Sequence, residues 1–137
     1  EGDALQIHYD ETDIALSPNV TAYSMLSADF LNGFNATVST NYVGRQYLDN
    51  SSCKERSLDA YCVTDLNISY TFHPVNFKEA KLNLQINNLF NKQYSSNGWV
   101  YTAVSESYGY TADNRYKEDG LFVQAPISFL TSLTLKF

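Results

Sequence analysis

The chain has 137 residues, with nine Lys and Arg against fifteen Asp and Glu, for a formal net charge of −6. Without a basic stripe, that balance excludes nucleic acid as a partner, because phosphate contacts need clustered Lys and Arg. Hydrophobic residues make up 44%, but no apolar run reaches the roughly 18 residues of a membrane-spanning helix.

Charged residues are 18%, below the roughly 25% usual for soluble domains. Aromatics reach 15%, led by eleven tyrosines. The length fits one domain or part of one. Residues 1–10 lack the basic start and apolar middle of a signal peptide. The chain is therefore expected to be mature, or cut from something longer.

In residues 1–18, Leu5, Ile7 and Tyr9 alternate with Gln6, His8 and Asp10, which suits a strand end. Asp10, Glu11 and Asp13 then mark an acidic loop closing at Ser17-Pro18. From Val20 to Phe30 the alternation is regular. Leu31-Asn32-Gly33 is a tight turn signal. A second strand follows, with Phe34, Ala36, Val38, Thr40 and Tyr42 on one side. Residues 49–59 read as a polar loop. Residues 61–72 form a third strand, with Cys62, Leu66, Ile68, Tyr70 and Phe72 on one face. His73-Pro74 breaks it. Residues 81–94 read as a fourth, with Leu82, Leu84, Ile86 and Phe90 opposed to Asn83, Gln85 and Asn87. Residues 95–125 read as a loop too long for an ordinary connection, hence a functional one. The last strand, 126–137, places Ile127, Phe129, Leu133, Leu135 and Phe137 opposite Ser128, Leu130, Ser132, Thr134 and Lys136. It has about the length of a tilted membrane-spanning strand. It ends on an aromatic residue without the charge or proline that normally blunts a soluble edge.

The expected fold is therefore all-β: five antiparallel strands joined alternately by short and long connections. Outer-membrane barrels share this asymmetry, with short periplasmic turns and longer external loops. It would put loops 10–18, 49–59 and 95–125 outside the cell. The polar faces carry Asn, Ser, Thr and Gln rather than the Lys and Glu of a water-facing sheet, which suits an enclosed polar lumen. Aromatic belts are expected at both ends, with Phe30, Phe34, Phe72 and Phe137 at the inner one and Tyr42, Tyr47, Tyr61 and Tyr94 at the outer. Period two alone leaves a soluble β-sandwich binding module open. Five or six strands cannot close a barrel in lipid, so the membrane reading requires further strands.

No nucleophile-elbow or proton-relay spacing is present, so no enzyme and no cofactor are expected. The acidic clusters at 10–13 and 118–119 lack calcium-loop spacing, and no metal site is expected. Cys53 and Cys62 are close enough for a bridged loop in an oxidising compartment, with free thiols the alternative. The candidate ligand contacts lie in the 95–125 loop, which is rich in aromatic residues (Tyr116 and Phe122 among them) and also carries Lys117: Trp99, Tyr101, Tyr108, Tyr110 and Arg115. Their rings could stack on sugars, macrocycles or catechols, and the guanidinium could pair with an anion. Asn88 and Asn91 are expected to fix strand-end geometry, since Asn tolerates unusual backbone angles.

The stretch "INNLFNKQY", residues 86–94, resembles the penultimate strand of TonB-dependent outer-membrane receptors. "QAPISFLTSLTLKF", residues 124–137, resembles their closing strand. "SPNVTAYSMLSADF" and "YVGRQYLDN" are similar to the strands just upstream, in a Bacteroidetes-like flavour. The resemblance implies that residues 1–137 are the C-terminal antiparallel strands of a plugged transmembrane barrel of about 22 strands, in the outer membrane of a Gram-negative cell. It implies energised uptake of a scarce nutrient: siderophore-iron or a similar chelate first, then cobalamin, haem or glycan. The implied partners are outer-membrane lipid, the remaining strands and plug, and the TonB complex acting through that plug. A surface lipoprotein stands beside them as an optional partner. Leu133, Leu135 and Phe137 would form the barrel-closing signal. A passive porin-like or adhesin barrel is the competing membrane reading.

Overall fold

The computed structural model describes residues 8–30 and 32–137. The expected strand end at Leu5 and Ile7 lies outside them. The chain is all-β with antiparallel sheets. It contains β1 (Thr21–Phe30), β2 (Phe34–Val43), β3 (Gln46–Tyr47), β4 (Ser57–Leu58), β5 (Tyr61–Phe72), β6 (Glu79–Asn87), β7 (Ser95–Ala103), β8 (Tyr116–Val123) and β9 (Ser128–Lys136). No helix among the described residues is long and apolar enough to cross a membrane. The main sheet runs β1-β2-β5-β6-β9, every neighbour antiparallel. The sheet is open, so β1 and β9 each pair on one side only.

Short turns join β1 to β2 and β5 to β6, and long connections join β2 to β5 and β6 to β9. The first turn needs left-handed backbone at Asn32 (φ 72°) and Gly33 (φ 78°). Gly33 is also pressed against β5, where an added Cβ would stand 2.3 Å from the Thr71 carbonyl oxygen. Only glycine satisfies both conditions.

The register sorts residues into continuous rows, because directly opposed residues share a face. One row is Phe30, Phe34, Tyr70, Leu82 and Leu133. The next is Ala28, Ala36, Ile68, Leu84 and Thr131, then Leu26, Val38, Leu66, Ile86 and Phe129. The opposite face carries rows such as Asp29, Asn35, Ser69, Asn83 and Ser132, and Ser27, Thr37, Asn67, Gln85 and Leu130. Neighbouring polar side chains bond one another across strands: Ser27 to Thr37 at 2.8 Å, and the Asn35 amide to Asp29 at 2.7 Å. A row of hydroxyls, Ser24, Thr40 and Thr64, crosses the apolar face near its long-connection end. Thr40 and Thr64 satisfy each other at 3.1 Å.

Among the described residues, neither face is covered by a second layer. Val43, Leu58 and Ala80 are the only buried hydrophobic residues among those described, and no large side chain is fully buried. The accessible surface is 10075 Å², whereas a compact monomer of this mass exposes about 7,200 Å². Leu82, Leu133 and Phe129 are 43%, 58% and 66% exposed.

The short-turn end of the apolar face carries the expected aromatic belt. Phe30 and Phe34 meet at 5.6 Å between ring centres, Tyr70 stacks on Phe72 at 5.5 Å, and Phe77 meets Phe137 at 5.1 Å. The belt expected at the other end is corrected. Tyr42 shares the apolar face with Cys62, but Tyr61 pairs with Val43 on the opposite face. There Tyr61 stacks on Tyr94 at 4.4 Å. The odd and even positions of one strand cannot both face the same side.

The fourth strand ends at Asn87 rather than running to Tyr94. Asn88 and Asn91 take left-handed backbone, at φ 52° and 51°. Asn88 is buried. Its own N–H donates to the Asp65 carboxylate at 2.8 Å, and its side-chain oxygen accepts from the Lys92 N–H at 2.8 Å. Its amide group donates to the Lys92 and Ala125 carbonyls. Asn91 accepts from the Ile127 N–H at 3.0 Å. The pair forms the strand-end device expected of it, folding residues 88–94 back and setting the start of β9.

Candidate functional site

The three long segments 10–18, 49–59 and 95–125 gather at one end of the sheet, as expected. Residues 13–16 are tied to 47–52: the Asp13 N–H donates to Ser52, Ala15 N–H to Asn50, and Leu16 N–H to the Tyr47 carbonyl, at 2.7 to 2.8 Å. Arg56 holds Asp49 at 2.7 Å. β3 pairs with β4 to stiffen the 49–59 segment.

Residues 95–125 are not an irregular loop. They form a hairpin of their own, β7 with β8, paired from Ser95↔Val123 to Ala103↔Tyr116. A 3₁₀ turn at Glu106–Tyr108 lies in its tip. The sequence did carry the signal, since Trp99, Tyr101 and Ala103 alternate with Gly98, Val100 and Thr102, and aromatic and β-branched residues favour strands.

The hairpin has two unlike faces. One presents Gly98, Thr102, Lys117 and Leu121 towards the 44–60 segment. A Cβ at Gly98 would stand 2.9 Å from the Gly120 carbonyl oxygen and 3.2 Å from the Leu48 side chain, so a larger residue there would force the hairpin strands or Leu48 to shift. The Lys117 ammonium donates to the Glu55 carbonyl at 2.8 Å. The other face presents Trp99, Tyr101, Tyr116 and Phe122, which are 46%, 56%, 37% and 55% exposed. Trp99 lies over Gly120, whose missing side chain leaves the ring its seat: a Cβ there would be 2.3 Å from the indole nitrogen.

The sequence-derived candidates therefore separate. Trp99 and Tyr101 share the open face. Tyr110 joins them through Tyr116, at 5.4 Å from that ring, and Tyr101 meets Tyr116 edge-on at 6.4 Å. Tyr108 stands apart in the tip at 82% exposure. Arg115 lies on the reverse side, in a cleft of about 240 Å³ lined also by Cys53, Arg56, Thr102 and Lys117. Its Nε donates to the Ala112 carbonyl at 3.0 Å. Tyr116 and Phe122, two aromatic residues of the candidate loop, join Trp99 and Tyr101 on this face, whereas sequence reasoning did not single out Gly120 or Glu118 as members of it.

The charges follow this division. The Arg115 guanidinium beside Tyr9, helped by Arg56, lowers that phenol against the opposing effect of desolvation. Burial works against the charge on Arg56, but Cys53 and Asp49 beside it raise its pKa overall. On the open face the Glu118 carboxylate pushes the Tyr116 phenol up, and burial adds to this. Burial likewise raises Tyr94, with Tyr61 and Asp65 contributing.

Cys53 and Cys62 are both free thiols, so the expected bridge is not formed. Cys53 belongs to the cap beside Arg56, while Cys62 projects from the apolar face of β5 opposite Tyr42. No group of His, Cys, Asp and Glu among the described residues could hold a metal ion. Leu133 and Leu135 extend the apolar face beside Leu82 and Ala80, and Phe137 lies against Phe77. The chain matches no protein-family model and shows no significant similarity to a curated protein or to a solved structure.

Proposed function

We propose that this chain is a stretch of wall from a TonB-dependent outer-membrane receptor, which takes a scarce nutrient into a Gram-negative cell by energised transport. The nutrient is an iron chelate, haem, cobalamin or a glycan. The observation that carries the proposal is the apolar face, continuous over five strands and covered by no other described part of the chain. Water disfavours such a face by about 25 cal/mol per Å², whereas acyl chains accept it. The dimensions support lipid as the occupant. Along β5 the apolar positions run from Cys62 to Phe72. Ten steps of about 3.3 Å, tilted by about 40°, stand about 25 Å tall, the height of the apolar band on membrane barrels.

In this reading the polar face lines the lumen and the gathered long segments lie outside the cell. Further strands beside β1 and β9 close the barrel, since lipid tolerates no open edge. The sequence resemblance in residues 86–94 and 124–137 adds the receptor class and the coupling to TonB. The experiment is fractionation combined with uptake. The protein should stay in outer membranes through carbonate extraction, and uptake should stop when an uncoupler collapses the proton-motive force. Uptake that continues without that force would mean a passive pore. A folded, monodisperse monomer in detergent-free buffer would refute the membrane reading altogether.

A further inference from the structure

The open face of the β7–β8 hairpin specifies a ligand chemistry. Four aromatic rings lie along it, and Gly120 lets Trp99 lie flat rather than stand on edge. Rings two residues apart on a strand sit about 7 Å from each other, so a ligand touching both Trp99 and Tyr101 is extended. Glu118 is the one charged side chain at the paired positions of this face, and it is an acceptor only. The cations of the hairpin, Arg115 and Lys117, are turned to the reverse side. An anionic chelate would therefore meet apolar rings and a like charge, with no partner for its own.

We infer that this face binds a neutral, hydroxyl-rich carbohydrate chain, with sugar rings stacked on Trp99 and Tyr101 and hydroxyls donating to the Glu118 carboxylate. The apolar C–H face of a pyranose fits a flat aromatic surface, and its rim of hydroxyls needs acceptors beside that surface. This names the nutrient class for the receptor reading and rests on that reading for the hairpin's place outside the cell.

The test titrates the purified protein, with its remaining strands and in detergent, with neutral gluco-, manno- and xylo-hexasaccharides, and with hexagalacturonate as the charged counterpart. Trp99 is the only tryptophan of these 137 residues, so the part of the fluorescence change that Trp99→Phe removes reads the contact. At least one neutral hexasaccharide should give a saturable change. Tyr101→Ala should weaken it about tenfold, the equivalent of roughly 1.4 kcal/mol. Gly120→Val should weaken it similarly while removing no ring, because it unseats Trp99. Tyr108→Ala should leave it unchanged, and this control and Tyr101→Ala still decide the matter if Gly120→Val does not fold. No response to any neutral sugar, equal affinity in Tyr101→Ala, or tighter binding of hexagalacturonate would overturn the inference. An epitope inserted after Gly109 and probed on intact cells tests the hairpin's location separately. If it is hidden, the receptor reading fails and the titration still decides the carbohydrate site.

Discussion

Leu84 and Asn83 are adjacent on β6 and point to opposite faces, so arginine at each position asks which face meets lipid. Leu84 pairs with Ile68, and Ile68 is four residues from Phe72 along β5. Four steps of about 3.3 Å at a tilt of about 40° put this row about 10 Å above the inner rim of a band about 25 Å tall, within about 3 Å of its midplane. An arginine there costs about 2–4 kcal/mol. With a urea slope of about 2 kcal/mol per M, Leu84→Arg should lower the unfolding midpoint by about 1–2 M. On the proposed reading Asn83→Arg enters a polar interior and should shift it by less than about 0.3 M, the scale of an ordinary exposed substitution. The assay is urea unfolding of the assembled protein from phospholipid vesicles, followed by far-ultraviolet circular dichroism. Equal shifts for the two variants, or a larger one for Asn83→Arg, would refute the assignment of the faces.

Three further outcomes are expected. Asn88→Ala removes the side-chain bonds to Lys92 and Ala125 and leaves alanine in left-handed backbone. It should destabilise by about 2–4 kcal/mol in the same unfolding assay, and Asn88→Gly should recover only the backbone part. A membrane-impermeant maleimide applied to intact cells should label Cys53 and spare Cys62, and labelling of Cys62, read by mass spectrometry of the digested protein, would refute the placing of its face against lipid. Glu118→Gln should bring the Tyr116 phenol down towards its ordinary range, because the raised value comes first from that carboxylate. With its folded pKa above the unfolded one, Tyr116 stabilises the hairpin below about pH 10 and loses that contribution as pH rises through the folded value. Ultraviolet titration of the tyrosines checks this.

The main sheet was legible in the sequence because its strands obey period two almost without exception. The turn at Asn32-Gly33 was legible because few other residues accept that backbone. The end of β6 was less so. The alternation to Ile86 invites continuation through Phe90, and only the left-handed angles at Asn88 and Asn91 stop it. The hairpin was missed for a different reason. Both its faces carry apolar residues, and twelve residues of irregular tip separate its strands, so length argued for a loop. The split between Trp99 and Arg115 could not be read at all, since it depends on which face of the hairpin packs against Leu48. The Tyr61–Tyr94 stack was hidden likewise, because Tyr94 reaches Tyr61 only through the fold at Asn88.

The unpaired margins of β1 and β9 carry a consequence for biogenesis. A nine-residue margin such as that of β9 leaves about four amide hydrogens and as many carbonyls pointing away from the sheet, each worth several kcal/mol if stranded in hydrocarbon. On the proposed membrane reading, half-zipped states would be too unfavourable to accumulate within the bilayer. The last seam would then form as a single concerted event, or under the cover of a strand lent from outside until the true neighbour arrives.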